Sequence, residues 1–261
     1  MLWPLVLHLA VGIVVMTAAW ELQRRTRNAG YVDVAWAALM AVAALLYGAV
    51  AAGPGLQRLL VAMLAGIWAM RLVLHLLARV LSEAEDGRYR QLRTHWAGSQ
   101  RRFFWFFQAQ ALIATLMSVP FLVAASNQVP ASDTWTHAAV AVWILALVGE
   151  SLADRQLARF RAAPENRAKV CRIGLWRYSR HPNYFFEWLH WFCYVLLSVG
   201  SPWWWVSLLL GPVLMGAALL WGTGIPYTEA QALRTRGEAY RRYQRETSAF
   251  FPWFPARRHN Q

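Results

Sequence analysis

The chain has 261 residues, 58% of them apolar, with 16 tryptophans and a formal net charge of +13. So apolar a composition leaves no room for a separate soluble domain and points to one integral membrane domain over residues 1–261. No GxGxxG or GxxxxGKS/T string occurs, which removes the usual soluble cradles for dinucleotides and nucleoside triphosphates.

Seven apolar stretches follow one another along the chain: Trp3–Trp20, Tyr31–Ala51, Leu59–Leu81, Phe103–Ala125, Trp135–Ala153, Tyr184–Val199 and Trp203–Gly222. Each approaches the ~20 residues a helix needs to span hydrocarbon, so an all-α fold with seven transmembrane helices is expected. The first has no basic n-region and no small-residue cleavage site, and reads as a retained helix. All but Arg58 and Arg71 of the 26 basic residues fall in four patches, after the first, third, fifth and seventh stretches. The last patch includes Arg257 and Arg258. By the positive-inside rule this puts the N-terminus outside and the C-terminus in the cytoplasm.

The same distribution accounts for most of the net charge through inner-leaflet phospholipid, so no nucleic-acid partner is expected. Lys169 is the single lysine. A preference for the planar guanidinium fork suits phosphate oxygens, and it hints at a GC-rich bacterial source, hence a bacterial inner membrane. Beyond the seventh stretch, Thr228–Arg245 has helical spacing, with Leu233, Gly237, Tyr240 and Tyr243 on related turns; it reads as a basic amphipathic helix against the inner face. Cys171 and Cys193 suggest neither a disulfide nor a metal site. A monomer in contact with membrane lipid is expected.

Ionisable groups inside membrane helices are costly and mark candidate sites. Here they are Asp33, Arg71, His75, Glu150, Asp154, Glu187 and His190. Arg71, His75 and Arg79 are spaced by four, as are Glu150 and Asp154, and Asn183, Glu187 and Trp191; each set therefore shares one helical face. All fall in the cytoplasmic half, as a shared cavity there would require. Arg79 and Asp154 also fit a plain role as snorkelling end residues, and His8 and His137 read as interfacial. In the stretch GLWRYSRHPNYFFEWLHW, Pro182 opens a helix, and Arg177, Arg180 and His181 precede it. A phosphate or carboxylate there would meet both cations and backbone donors.

The string YSRHPNYFFE, preceded by GLW, and the tail with Glu229, Leu233, Gly237, Tyr240 and Tyr243 resemble the steroid 5-alpha-reductase family, particularly its bacterial membrane branch. YVDVAW at 31–36, RLVLHLLAR at 71–79, EDGRY at 85–89 and ESLADRQLARFR at 150–161 extend the resemblance over about residues 24–254. RHPNY and the tail also resemble isoprenylcysteine carboxyl methyltransferases; EDGRY and ADRQ favour the reductases.

The resemblance implies an enzyme that binds NADPH from the cytoplasm and reduces a carbon–carbon double bond conjugated to a ketone, as in a delta-4-3-keto steroid. Helices one to four would serve mainly the substrate and residues 150–254 mainly the cofactor. Asn183 and Glu187 match positions that contact the nicotinamide end. Asp154 and Arg161 match a cofactor-binding aspartate and arginine, and Glu150 stands where mammalian members have asparagine. Arg88, Tyr89, Arg90 and Arg93 match a phosphate-holding loop, and Tyr178, Arg180, His181, Tyr227 and Glu229 complete the implied cofactor set. At the substrate end, mammalian members use a glutamate and a tyrosine; Asp33 and His75 are the nearest positions here and depart from both.

Hydride addition to an enone drives negative charge onto the ketone oxygen, where a positioned donor is worth ~3–4 kcal/mol in comparable oxyanion sites. A His75 N–H, or an Asp33 carboxyl kept protonated by apolar surroundings, would supply it. Whether a side chain or a water protonates the alpha carbon stays open. Two other expectations are a methyltransferase using S-adenosylmethionine on a lipidic carboxylate, and a non-catalytic lipid-binding or transport protein.

Overall fold

The computed structural model describes residues 2–129, 133–167, 169–222 and 224–256. Arg257 and Arg258 of the last basic patch lie outside the described residues, as does part of the loop Ser126–Thr134. Among the described residues every regular element is helical. These are α1 (Leu2–Thr26), α2 (Tyr31–Val50), α3 (Gly55–Ser82), α4 (Gly87–His95), α5 (Gln100–Ala125), α6 (Asp133–Ala162), α7 (Pro182–His190), α8 (Phe192–Leu197), α9 (Trp204–Leu208), α10 (Leu214–Leu220) and α11 (Ile225–Glu246), with a π-turn at Leu209–Val213 joining α9 to α10.

Among the described residues, six helical runs are long and apolar enough to cross a membrane: α1, α2, α3, α5, α6 and the run that begins at Trp204. The sixth of the seven predicted crossings, Tyr184–Val199, is divided. Its helix stops at His190 and resumes at Phe192, and the Trp191 amide bonds the Trp188 carbonyl three residues back at 3.2 Å. This tightened turn leaves two pieces, each well short of the ~20 residues a span requires.

Two compact units are distinguishable within the chain. The first comprises Met1–Thr136 with Tyr194–Gly211, the second His137–Cys193 with Pro212–Gln261. In the first unit α2 packs against α1, α3 and α5, and α5 also against α9. The buried face of α2 is rich in alanine (Ala35, Ala37, Ala43, Ala44), which lets its neighbours approach closely.

Polar side chains then tie these helices across the apolar interior. His8 is fully buried, with Nε2 at 2.9 Å from the Leu39 carbonyl and Nδ1 at 3.0 Å from Thr115 Oγ1. Tyr47 and Ser118 are hydrogen-bonded at 2.8 Å. Gln57 donates to the Ala124 and Leu197 carbonyls, and Asn127 to those of Leu197 and Val199. His8 is thus a core residue and not the interfacial one its position near the chain's start suggests; His137 is exposed.

In the second unit α6 meets α7 where Gly149 lies under Phe186. A Cβ at 149 would come within 2.4 Å of that ring, so only glycine permits the crossing. α7 is tied to the π-turn that precedes α10 through the Trp188 indole, whose N–H donates to the Pro212 carbonyl at 2.9 Å. The chain from α6 to α7 passes through two 3-10 turns, Pro164–Asn166 and Gly174–Arg177.

The predicted amphipathic helix Thr228–Arg245 exists but is not continuous. Gly237 has φ 50° and ψ −125°, outside any helical conformation. Glu229 Oε2 accepts from Gln244 Nε2 at 2.7 Å, although the two are 15 positions apart, a separation that spans about 22 Å in a straight helix. Residues 225–236 and 238–246 are therefore two helical arms folded back at Gly237. Tyr240, Tyr243 and Ala232 form their shared core, with Val170 and Leu233 packed against it.

Candidate functional site

Two groups of polar side chains stand out, one in each unit. The first gathers around the start of α2, the end of α3 and α4. Asp86 caps α4 by accepting from the Arg88 amide at 2.9 Å, which exploits the unpaired amides of a helix N-terminus. That cap turns the α4 face carrying Arg88 and Tyr89 toward Asp33. Arg88 Nη2 donates to Asp33 Oδ2 at 3.0 Å and the Tyr89 hydroxyl donates to Asp33 Oδ1 at 2.7 Å. Arg79 also pairs with Asp86.

Burial of Asp86 alone would raise its pKa, but the Arg88 amide and the Arg88 and Arg79 guanidinium groups outweigh it and hold the carboxyl below its ordinary range. Burial, reinforced by the neighbouring Asp33 charge, pushes the Tyr89 hydroxyl well above its ordinary value, so it stays a proton-bearing donor. A small cleft opens beside this cluster, lined by Asn28, Gly30, Asp33, Leu76, Arg79 and Asp86 among others.

The rest of the EDGRY segment is equally committed. Glu85 pairs with Arg93 at 2.7 Å and accepts from the Ala29 amide at 2.8 Å, fastening the α1–α2 turn to α4. Of the four α4 residues predicted to hold phosphate, then, Arg88, Tyr89 and Arg93 are engaged by carboxylates, and Arg90 is exposed. Asp33 accepts on both oxygens, so the role this arrangement offers it is to orient Tyr89 and Arg88. His75, one turn before Arg79 on α3, is exposed and makes no hydrogen bond to the Asp33 cluster among the described residues. Glu85 and Asp86 were not singled out individually in the sequence; an acidic pair just before Gly87 is the signal that could have marked the cap.

The second group surrounds the start of α7. Asn183 Nδ2 donates to Asp154 Oδ1 at 3.2 Å, and the Trp191 indole donates to Glu187 Oε1 at 3.3 Å. Asn183 and Glu187 thus share a face of α7, and Glu150 and Asp154 share one of α6. Glu150 is buried, Arg161 is exposed in the last turn of α6, and Tyr227 is half-buried in the first turn of α11. No side chain caps α7, which begins with Pro182 at its first position, so its leading amides have no intrahelical partner.

Beside that end, Glu229 is the hub of a clasp. It accepts from Arg180 Nε at 2.6 Å, lies 3.3 Å from His181 Nε2 and accepts from the Tyr240 hydroxyl at 3.4 Å, in addition to Gln244. Arg180 spends its Nη1 on the Gln244 and Thr247 carbonyls as well.

Burial tends to raise the Glu229 pKa, but the hydrogen bonds from His181, Arg180 and Gln244 bring it down to about 2. Burial dominates at His181 and lowers its pKa, with the Glu229 contacts opposing. Tyr178 holds the C-terminal segment through its carbonyl, which accepts from the Trp253 amide at 2.9 Å. Tyr240 and Gln244 take part here without having been expected to. Only a folded-back α11 brings them to Glu229, and the linear helical pattern cannot show that fold.

An all-helical membrane protein with a polar cluster at the α2–α4 ends and another at the α7 N-terminus is the class defined so far. Over residues 19–247 the chain matches the family described as "Protein of unknown function (DUF1295)", and it belongs to that family. Searches of curated proteins and of solved structures found no match.

Proposed function

We propose that the protein is an NADPH-dependent reductase of enone lipids, acting on the double bond of a delta-4-3-keto steroid or a similar conjugated ketone. Support comes first from the α7 N-terminus, where an uncapped helix end, Asn183 and Glu187 adjoin one another. Leading amides without intrahelical partners suit a pyrophosphate. An amide and a carboxylate on the next turn suit the carboxamide of a nicotinamide ring. Asn183 keeps its carbonyl available while its amino group is fixed by Asp154, so its orientation is set beforehand. NADPH, when bound, supplies the hydride that adds to the β carbon of the enone.

Arg161 and Arg90 of the implied cofactor set are both exposed. Arg180, His181 and Glu229 act on the cofactor end through the clasp that fixes where α7 begins. At the ketone end, His75 is the exposed donor for the oxygen on which negative charge develops. Asp33, gripping Tyr89 and Arg88, sets the local field.

Purified protein in detergent with NADPH and progesterone or testosterone tests the proposal. NADPH oxidation dependent on the steroid is expected, and it should vanish in Asn183→Ala and Glu187→Ala while their unfolding temperatures stay at the wild-type value. Absence of oxidation across several enone lipids, or methyl transfer from S-adenosylmethionine in the same preparation, would overturn it.

A further inference from the structure

Residues 247–256, which follow α11, have no regular secondary structure, yet they are fastened at several points. The Arg180 amide donates to the Ser248 carbonyl at 2.9 Å, Ser179 Oγ donates to the Phe250 carbonyl at 2.8 Å, the Trp253 amide donates to the Tyr178 carbonyl at 2.9 Å, and the Ala256 amide donates to the Glu246 carbonyl at 2.9 Å. A segment pinned at both margins projects what lies between in a fixed way. What lies between is aromatic.

Phe250 is buried against Phe185 and Trp188 of α7. Phe251 touches the same two rings, at 6.0 and 5.7 Å between centroids, but is 56% exposed. Trp253 and Phe254 are 72% and 77% exposed, and Phe254 has its ring 5.9 Å from that of Tyr178. Such exposure of three large aromatics in four residues is costly in water. It is normal at a membrane interface, where aromatic rings gather at headgroup level.

Two further features fit that setting. Pro252 and Pro255 carry no N–H, so an irregular backbone there has fewer donors to satisfy where water is scarce. Arg177, next to the residue whose carbonyl and ring hold the segment, is exposed and supplies positive charge beside the rings.

We propose that residues 248–256 are a bilayer anchor that docks on anionic lipid: Phe251 enters the margin of the acyl region alongside α7, Trp253 and Phe254 lie in the headgroup layer, and Arg177 meets lipid phosphate. The anchor holds the Tyr178–Arg180 loop, and with it the start of α7, at a defined depth. It does not depend on the reductase reading.

The test uses the full chain with Phe254→Cys, a position outside the packed interior, labelled with bimane and placed in nanodiscs. Cys171 and Cys193 are buried, and labelled wild-type protein serves as the background. Emission blue-shifted from that of the water-soluble bimane conjugate is expected, with quenching by headgroup-labelled nitroxide lipid at least twofold stronger in phosphatidylglycerol than in phosphatidylcholine discs. In Arg177→Gln the difference between the two lipids should shrink. Water-like emission quenched only by aqueous iodide would overturn the anchor, and equal quenching in the two lipids would overturn its preference for anionic headgroups.

Discussion

Replacing Gly237 by alanine separates two accounts of α11 by the sign of the effect. In a continuous amphipathic helix, glycine is the poor choice, and alanine would stabilise by roughly 0.5–1 kcal/mol. In the folded-back arrangement, Gly237 has φ 50° and ψ −125°, and a Cβ there would meet nothing within 4 Å. Sterics with neighbours then contribute nothing, and the whole cost is backbone strain, about 1–3 kcal/mol for a non-glycine residue held in such a region. At about 2–4 °C per kcal/mol for a domain of roughly this size, the unfolding midpoint should fall by several degrees. Thermal unfolding in detergent at one fixed scan rate, followed by circular dichroism, reads this directly. An unchanged or raised midpoint for Gly237→Ala would refute the hairpin and restore the straight helix.

Further outcomes follow from the two clusters and the core. Glu229 and Arg180 have side chains only 14% and 10% exposed, so Glu229→Ala strands a buried cation and should cost about 3–5 kcal/mol, measured by the same unfolding assay. Stability should also fall in two acid steps. His181 is depressed below its ordinary 6.5, so the unfolded chain takes up the proton first and stability declines as pH drops through 6.5. Glu229 titrates at about 2 in the fold against 4.5 unfolded, so its contribution is complete above 4.5 and is lost between 4.5 and 2. Unfolding midpoints from pH 8 to 3 check both steps, and Glu229→Gln should shrink the lower one, leaving the part due to Asp86, which is also held below its ordinary range. Gly149→Ala, which drives a methyl into Phe186, should destabilise by about 1–3 kcal/mol; a neutral result would mean that α6 and α7 do not cross there.

Much of the fold is visible in the residue pattern because bilayer thickness imposes one length on every crossing. α1, α2, α3, α5 and α6 coincide with predicted stretches, since nothing but an apolar run of that length was needed to specify them. The break at Trp191 was not visible: the interruption involves neither proline nor glycine, only packed side chains around it. Gly237 was noted as a position on the helix, but its conformation depends on Glu229 meeting Gln244, a contact no local window contains.

The same division holds for the candidate site. Asp33, Arg88 and Tyr89 were each identified from residue type and resemblance, and the structure joins all three. What the pattern did not convey is that carboxylates already engage most of these cations, through Asp86, Glu85 and Glu229. Such pairing runs between α2 and α4, or between the α7 end and α11, and depends on tertiary placement. His8 is the converse case: a histidine near one end of an apolar run looks peripheral until Thr115 and the Leu39 carbonyl are seen on either side of it.

The most direct measurement of the proposed activity is isotopic. NADPH carrying deuterium at both hydrogen positions of the reactive nicotinamide carbon is incubated with the purified protein and an enone steroid, and the steroid product is analysed by mass spectrometry and NMR. Enone reduction by this chain predicts one deuterium per product molecule at the former β carbon, with none in the Glu187→Ala reaction. Unreduced steroid, or a reduced product without the label, would contradict it.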